Sequence, residues 1–109
     1  MSRKIYNKLI RDKILEIIRN KGSVPKVSVL GKEKYLKALK EKMVEEANEL
    51  QEAKTKKDVL NELSDIQELV NVVAKNHKID IKVVENKRKK KKKERGGFKK
   101  KIFLKYVDE

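Results

Sequence analysis

From Tyr35 onward, Leu36, Leu39, Met43, Ala47 and Leu50 recur at steps of three and four residues, the period of one face of an α-helix. Val59, Leu63, Ile66, Val70, Val73 and Ala74 form a second such face. The residues between them, Ala53-Lys54-Thr55-Lys56-Lys57-Asp58, are polar, and either Thr55 or Asp58 offers a side-chain oxygen to cap the second helix. A connection this short makes the two helices antiparallel neighbours.

The remaining apolar positions are sparser. Residues 8–21 carry Leu9, Ile10, Ile14, Ile17 and Ile18 and predict a first helix, with Asn7 as its cap. A fourth segment starts near Asp80 with Ile81, Val83 and Val84 before turning wholly basic. Residues 23–30 alternate Val27 and Val29 after Pro25, and residues 101–107 are β-branched and aromatic, so together they predict a small two-stranded β-ribbon. Such a ribbon is marginal unless it packs on the helices. The expected fold class is mainly α, a helical bundle in one domain spanning residues 1–109, with a basic segment at 87–101. At 109 residues the apolar supply is thin, so the hairpin helices are expected to dimerise.

Acidic positions change the picture most. Glu46 and Glu49 precede the short connection and Glu62 and Asp65 follow it, in mirror order about a point between Thr55 and Lys56. Folding the chain there sets Glu49 opposite Glu62 and Glu46 opposite Asp65. At roughly 100° per residue, Glu46 and Glu62 each lie about 20° beyond the same edge of their helix's apolar stripe. All four carboxylates then line one rim of the hairpin. Within each helix the i, i+3 spacing brings like charges together, which is unfavourable, and a bound cation reverses that penalty. Clustered carboxylate oxygen suits a hard ion, Mg²⁺ or Mn²⁺. In a chain that is 44% charged a single E-x-x-E is usually a solvated face, but two pairs mirrored about a turn are less easily accidental.

Glu45-Glu46-Ala47-Asn48-Glu49 followed by Glu62-Leu63-Ser64-Asp65 resembles the E-E-x-x-E, spacer, E-x-x-D signature of the all-α nucleotide pyrophosphohydrolases. Two flanks narrow the resemblance to its MazG-like or phosphoribosyl-ATP pyrophosphohydrolase-like branch. One is Tyr6-Asn7-Lys8-Leu9-Ile10-Arg11-Asp12-Lys13-Ile14; the other is Glu94-Arg95-Gly96-Gly97-Phe98 before Ile102-Phe103-Leu104. The resemblance implies an all-α helical bundle and Mg²⁺-dependent hydrolysis of a nucleoside triphosphate between the α and β phosphates, giving monophosphate and pyrophosphate. It maps the metal ligands to Glu46, Glu49, Glu62 and Asp65, makes Glu45 a supporting or water-orienting acid, and favours a homodimer or homotetramer. It also brings in Lys8, Arg11 and Lys13 as phosphate contacts. The implied role is nucleotide-pool house-cleaning.

The formal net charge of +14 owes much to residues 87–93, Arg95 and residues 99–101. Such a run attracts polyanions, so binding of RNA or DNA is the main rival to hydrolysis, although no stacking aromatics are interleaved and no recognised motif accompanies it. A catalytically silent helical assembly module is a second alternative. Arg95 followed by Gly96-Gly97 could instead offer a guanidinium and exposed backbone N–H groups to the substrate's phosphates. Phe98 is expected to be a core plug. His77, the single histidine, reads as a helix C-terminal cap or surface residue rather than a catalytic base. No apolar run is long enough to span a bilayer, no signal-peptide segment is evident, and there is no cysteine. A cytoplasmic protein is expected.

Overall fold

The computed structural model describes residues 2–109, which form four helices and, among those residues, no strand. These are α1 (Ile14–Asn20), α2 (Lys32–Glu52), α3 (Lys56–Asn76) and α4 (Ile81–Arg95). The mainly α reading is correct.

α2 and α3 pack side by side and are the main helix–helix contact of the chain. Thr55 is the residue that caps α3: its hydroxyl accepts a hydrogen bond from the Asp58 backbone N–H at 3.1 Å. At the far end His77 is the C-cap, as expected, and Lys78 follows at φ 58°. The Lys78 N–H then donates to the Lys75 carbonyl and the Ile79 N–H to the Ala74 carbonyl, closing the helix with a Schellman arrangement. Its cost is a left-handed lysine where glycine is usual.

The core between these helices is small. Leu39 and Ala74 are its buried apolar residues, and Leu36, Met43, Leu50, Val59, Ile66, Val70 and Val73 are half-buried. Ala47 and Leu63, assigned to the apolar stripe from their spacing, are exposed instead, Leu63 by half. With Val44 and Leu60 they make an apolar surface that the single chain leaves uncovered.

Three terminal features differ from expectation. α1 is only seven residues long, begins at Ile14 behind Lys13, and has no side-chain cap. Asn7, expected to cap it, lies well upstream at φ 45°, a conformation asparagine tolerates better than most residues. Just past the end of α1 Gly22 takes φ 85°, with its own N–H donating to the Arg19 carbonyl and the Ser23 N–H to the Ile18 carbonyl. The β-ribbon does not form. Residues 23–30 and 101–107 run without strand pairing; Val29 is 99% exposed and the tail from Phe98 onward is exposed throughout. Neither segment has a helix surface beneath it, and an unsupported two-stranded ribbon does not hold itself together in water. Phe98, at 98% exposure, is therefore no core plug.

α4 starts at Asp80, whose carboxylate accepts from the Lys82 N–H at 2.8 Å. It touches α3 alone, and Val84 is its one residue that is not exposed. The molecule is accordingly elongated, with principal extents of 60 × 34 × 29 Å. Among the described residues no helix is long and apolar enough to cross a membrane.

Candidate active site

The hairpin brings the acids of its two helices together, with Glu46 at the centre. Glu46 is 6% exposed, the one buried charged residue among those described. Carboxylate oxygens of Glu46, Glu62 and Asp65 lie within 4.8 Å of one another, and so do those of Glu45, Glu46 and Glu49. Glu46 belongs to both groups. The arrangement differs from the pairing expected from mirror order, because Glu46 faces Glu62 as well as Asp65 while Glu49 groups with its own helix neighbours. A carboxylate close to the seam can reach two residues across it; one displaced round the helix cannot.

The electrostatics follow from that position. Burial, then hydrogen bonding that shares a proton with Glu62 and Glu49, then the charges of Glu49 and Asp65, push the Glu46 carboxyl up to about 7. Lys42, one turn earlier on α2, stands 3.5 Å from its Oε1. The other oxygen, Oε2, and Oε2 of Glu62 are buried with no donor beyond a proton shared among the carboxyls themselves. Orphaned acceptors of this kind are uncommon and unfavourable in a folded protein.

Two of the N-terminal cations reach the cluster. Arg11 donates from Nη2 to Asp65 Oδ1 at 2.8 Å, and Lys8 Nζ lies 3.4 Å from Glu45 Oε1. Lys42 also donates to Glu45 at 3.2 Å. Burial alone would raise the Glu45 carboxyl, but Lys42 and then Lys8 outweigh it and hold the group below its ordinary value. Glu45 and Glu46 are adjacent in sequence and shifted in opposite directions, because one faces cations and the other faces acids. Lys42 was not picked out from the sequence; its i+3 and i+4 spacing to Glu45 and Glu46 was the available signal.

Lys13 and Arg95 are not brought to the acids. Lys13 occupies the N-cap position of α1 and Arg95 the last turn of α4, both are exposed, and neither makes an ion pair among the described residues. Since α4 touches α3 alone, nothing in the chain returns Arg95 toward α2. Beside the cluster an open groove of about 360 Å³ is lined by Asn48, Glu49, Glu52, Ala53, Asp58 and Glu62. Glu52 and Asp58 thus extend the acidic wall toward the turn, a placement visible only once the hairpin is closed.

The donor set suits a hard divalent ion. The Glu46, Glu62 and Asp65 oxygens, all within 4.8 Å of one another, are near enough to share one such ion. The two orphaned Oε2 atoms are acceptors that such an ion would satisfy.

Residues 6–92 match the family described as phosphoribosyl-ATP pyrophosphohydrolase. The chain belongs to that family. The resemblance drawn from the acidic motifs and the N-terminal flank is borne out, and the match runs from Tyr6 to within α4. Family membership makes this chain a hydrolase of the nucleotide pyrophosphohydrolase class. Arg95 and Gly96-Gly97 lie beyond the matched residues. No curated protein and no solved structure gives a match to the chain.

Proposed function

We propose that the protein hydrolyses a nucleoside triphosphate, or a related phosphorylated nucleotide, between its α and β phosphates, releasing monophosphate and pyrophosphate in a Mg²⁺-dependent reaction. The observation that carries this reading is the buried Glu46 carboxyl, set against Glu62 and Asp65 with an unpartnered oxygen on each of the two glutamates. Burial that raises a carboxyl toward 7 is unfavourable for a merely structural residue and useful at a cation site.

Glu46, Glu49, Glu62 and Asp65 hold the ion in this proposal, with Mn²⁺ an acceptable substitute. The ion, when bound, supplies charge neutralisation on phosphate oxygens and a more acidic water. Glu45, held ionised by Lys42 and Lys8, supports the ligand set or orients the attacking water. Lys8 and Arg11, which already reach the cluster, contact the phosphate chain, and Lys13 and Arg95 are weaker candidates for the same task. No covalent nucleophile enters the reaction.

The exposed Val44, Leu60 and Leu63 on the hairpin support assembly through these helices into a homodimer or homotetramer. Nucleotide-pool house-cleaning in the cytoplasm is the role this reading favours. The decisive experiment is a panel of nucleotides incubated with Mg²⁺ and with chelator, with the products resolved. Monophosphate and pyrophosphate, lost on chelation, are expected; diphosphate and orthophosphate would overturn the reaction type.

A further inference from the structure

We infer that α4 is a sequence-independent docking element for duplex DNA, entering the major groove with its lysines facing phosphates on both walls. This rests on observations separate from the acidic cluster and does not depend on the hydrolase reading.

The charge is concentrated rather than spread. Between Lys82 and Lys101 there are twelve Lys and Arg against two Glu, whereas the rest of the chain carries nineteen against fifteen Asp and Glu. General lysine richness would have distributed the excess along the whole sequence. Both glutamates of α4 are already engaged within the helix: Glu85 with Arg88 at 2.6 Å, and Glu94 with Lys90 at 4.0 Å. Lys87, Lys89, Lys91, Lys92 and Lys93 make no ion pair within 4.0 Å among the described residues and are exposed.

Placement on the helix selects the kind of polyanion. At about 100° per residue the seven cations at 87–93 leave no gap around the axis wider than about 60°, and the five without an ion pair leave none wider than about 120°. A membrane-surface helix needs an apolar face opposite its cations, and this stretch has none. A lone strand meets one side only. A helix with side chains is about 10–12 Å across and the B-DNA major groove about 12 Å wide, so a cationic ring seated there meets phosphates on both sides. The major groove of duplex RNA is too narrow to admit it. Because α4 is fastened to α3 only near its start, the lysine ring stands clear of the hairpin. Residues 87–93 offer no Asn or Gln for reading adenine, Asn86 being the one amide on α4, and Arg88 is tied to Glu85, which fits recognition of backbone rather than sequence.

The test measures binding of the full chain to a fluorescent 20-base-pair DNA duplex from 50 to 200 mM salt. Contacts to about six phosphates predict an affinity falling about a thousand-fold over that range, irrespective of base sequence. Replacing Lys87, Lys89, Lys91, Lys92 and Lys93 by Gln keeps helix propensity and should weaken binding at 50 mM at least about a hundred-fold and flatten the salt dependence. The same five positions changed to Arg should retain it, and nucleotide hydrolysis should be unchanged in both variants. Circular dichroism verifies that both remain helical. Wild-type protein that shows no salt-sensitive binding, or that holds single strands or duplex RNA as tightly as duplex DNA, overturns the inference whatever the variants do. Retention on anionic vesicles without retention on DNA overturns it in favour of a lipid surface.

Discussion

The α2–α3 hairpin and α4 are both helical and both crowded with like charge, yet the same kind of crowding has opposite consequences in them. On the hairpin, acids from two helices converge at a seam that excludes water, so Glu46 is driven toward protonation and two carboxylate oxygens are left unpartnered. On α4 seven consecutive cations are fanned round a single helix in full solvent, and the high dielectric disperses their repulsion. A run of charge round one solvated helix can therefore attract a large polyanion but does not strain its own groups as the seam strains Glu46. Convergence across a seam with restricted water is what concentrates electrostatic free energy where a ligand can use it.

The largest test of that contrast is catalytic. Glu49→Gln should lower turnover at least about a hundred-fold, because removing one carboxylate from a shared ion removes charge that the substrate's phosphates require. The folded state should survive, since Glu49 is exposed. Product-resolved rates alongside a thermal melt check both points, and an unchanged rate would take Glu49 out of the ligand set.

Packing should separate the two regions next. Leu39, at 2% exposure, should lose about 2–4 kcal/mol on truncation to Ala, whereas Val83→Ala on the exposed surface of α4 should stay within about half a kcal/mol. Denaturant titration of the two variants measures the difference. Near-equal losses would mean that α4 is buried in an assembly.

The pH dependence isolates the seam. Glu46 is raised from an ordinary value of 4.5 to about 7, so between these limits the folded chain holds a proton that the unfolded chain has released. Stability without divalent ion should therefore fall as pH climbs through that window, by up to about 3 kcal/mol. Glu46→Gln should flatten the fall, and Mg²⁺ binding near pH 6.5 should release a proton that calorimetry in buffers of different ionisation enthalpy detects. A fall that persists in Glu46→Gln would assign it to another group.

The smallest expected effect lies at the turn that aligns the two acidic pairs. Thr55→Ala removes the hydroxyl accepting from the Asp58 N–H and should lower stability by about 1 kcal/mol, measured by denaturant midpoint. Activity should fall less than in Glu49→Gln, because the cap supports the helix start rather than the ion.

The α2 and α3 helices and the acids they carry were legible in the amino-acid order, because helical periodicity and a short polar turn are local properties. The helical course of residues 32–76 needed nothing distant to be read, although the exposure of Ala47 and Leu63 did. The same holds for the His77 cap and the end of apolar supply in α4. Glu46's central position was not legible: mirror symmetry ranks four acids as equals, and only the packed seam buries one of them and exposes Glu49. Nor could spacing show that Lys8 and Arg11 would reach Glu45 and Asp65 across 37 and 54 residues while Lys13 and Arg95 would not. The β-ribbon failed for the complementary reason. Residues 23–30 and 101–107 have the composition of strands, but strand pairing is a long-range event that requires an apolar surface to rest on, and the tertiary structure supplies none there. Local periodicity settled which helices form, and solvent exclusion at one seam settled which of their charges matter.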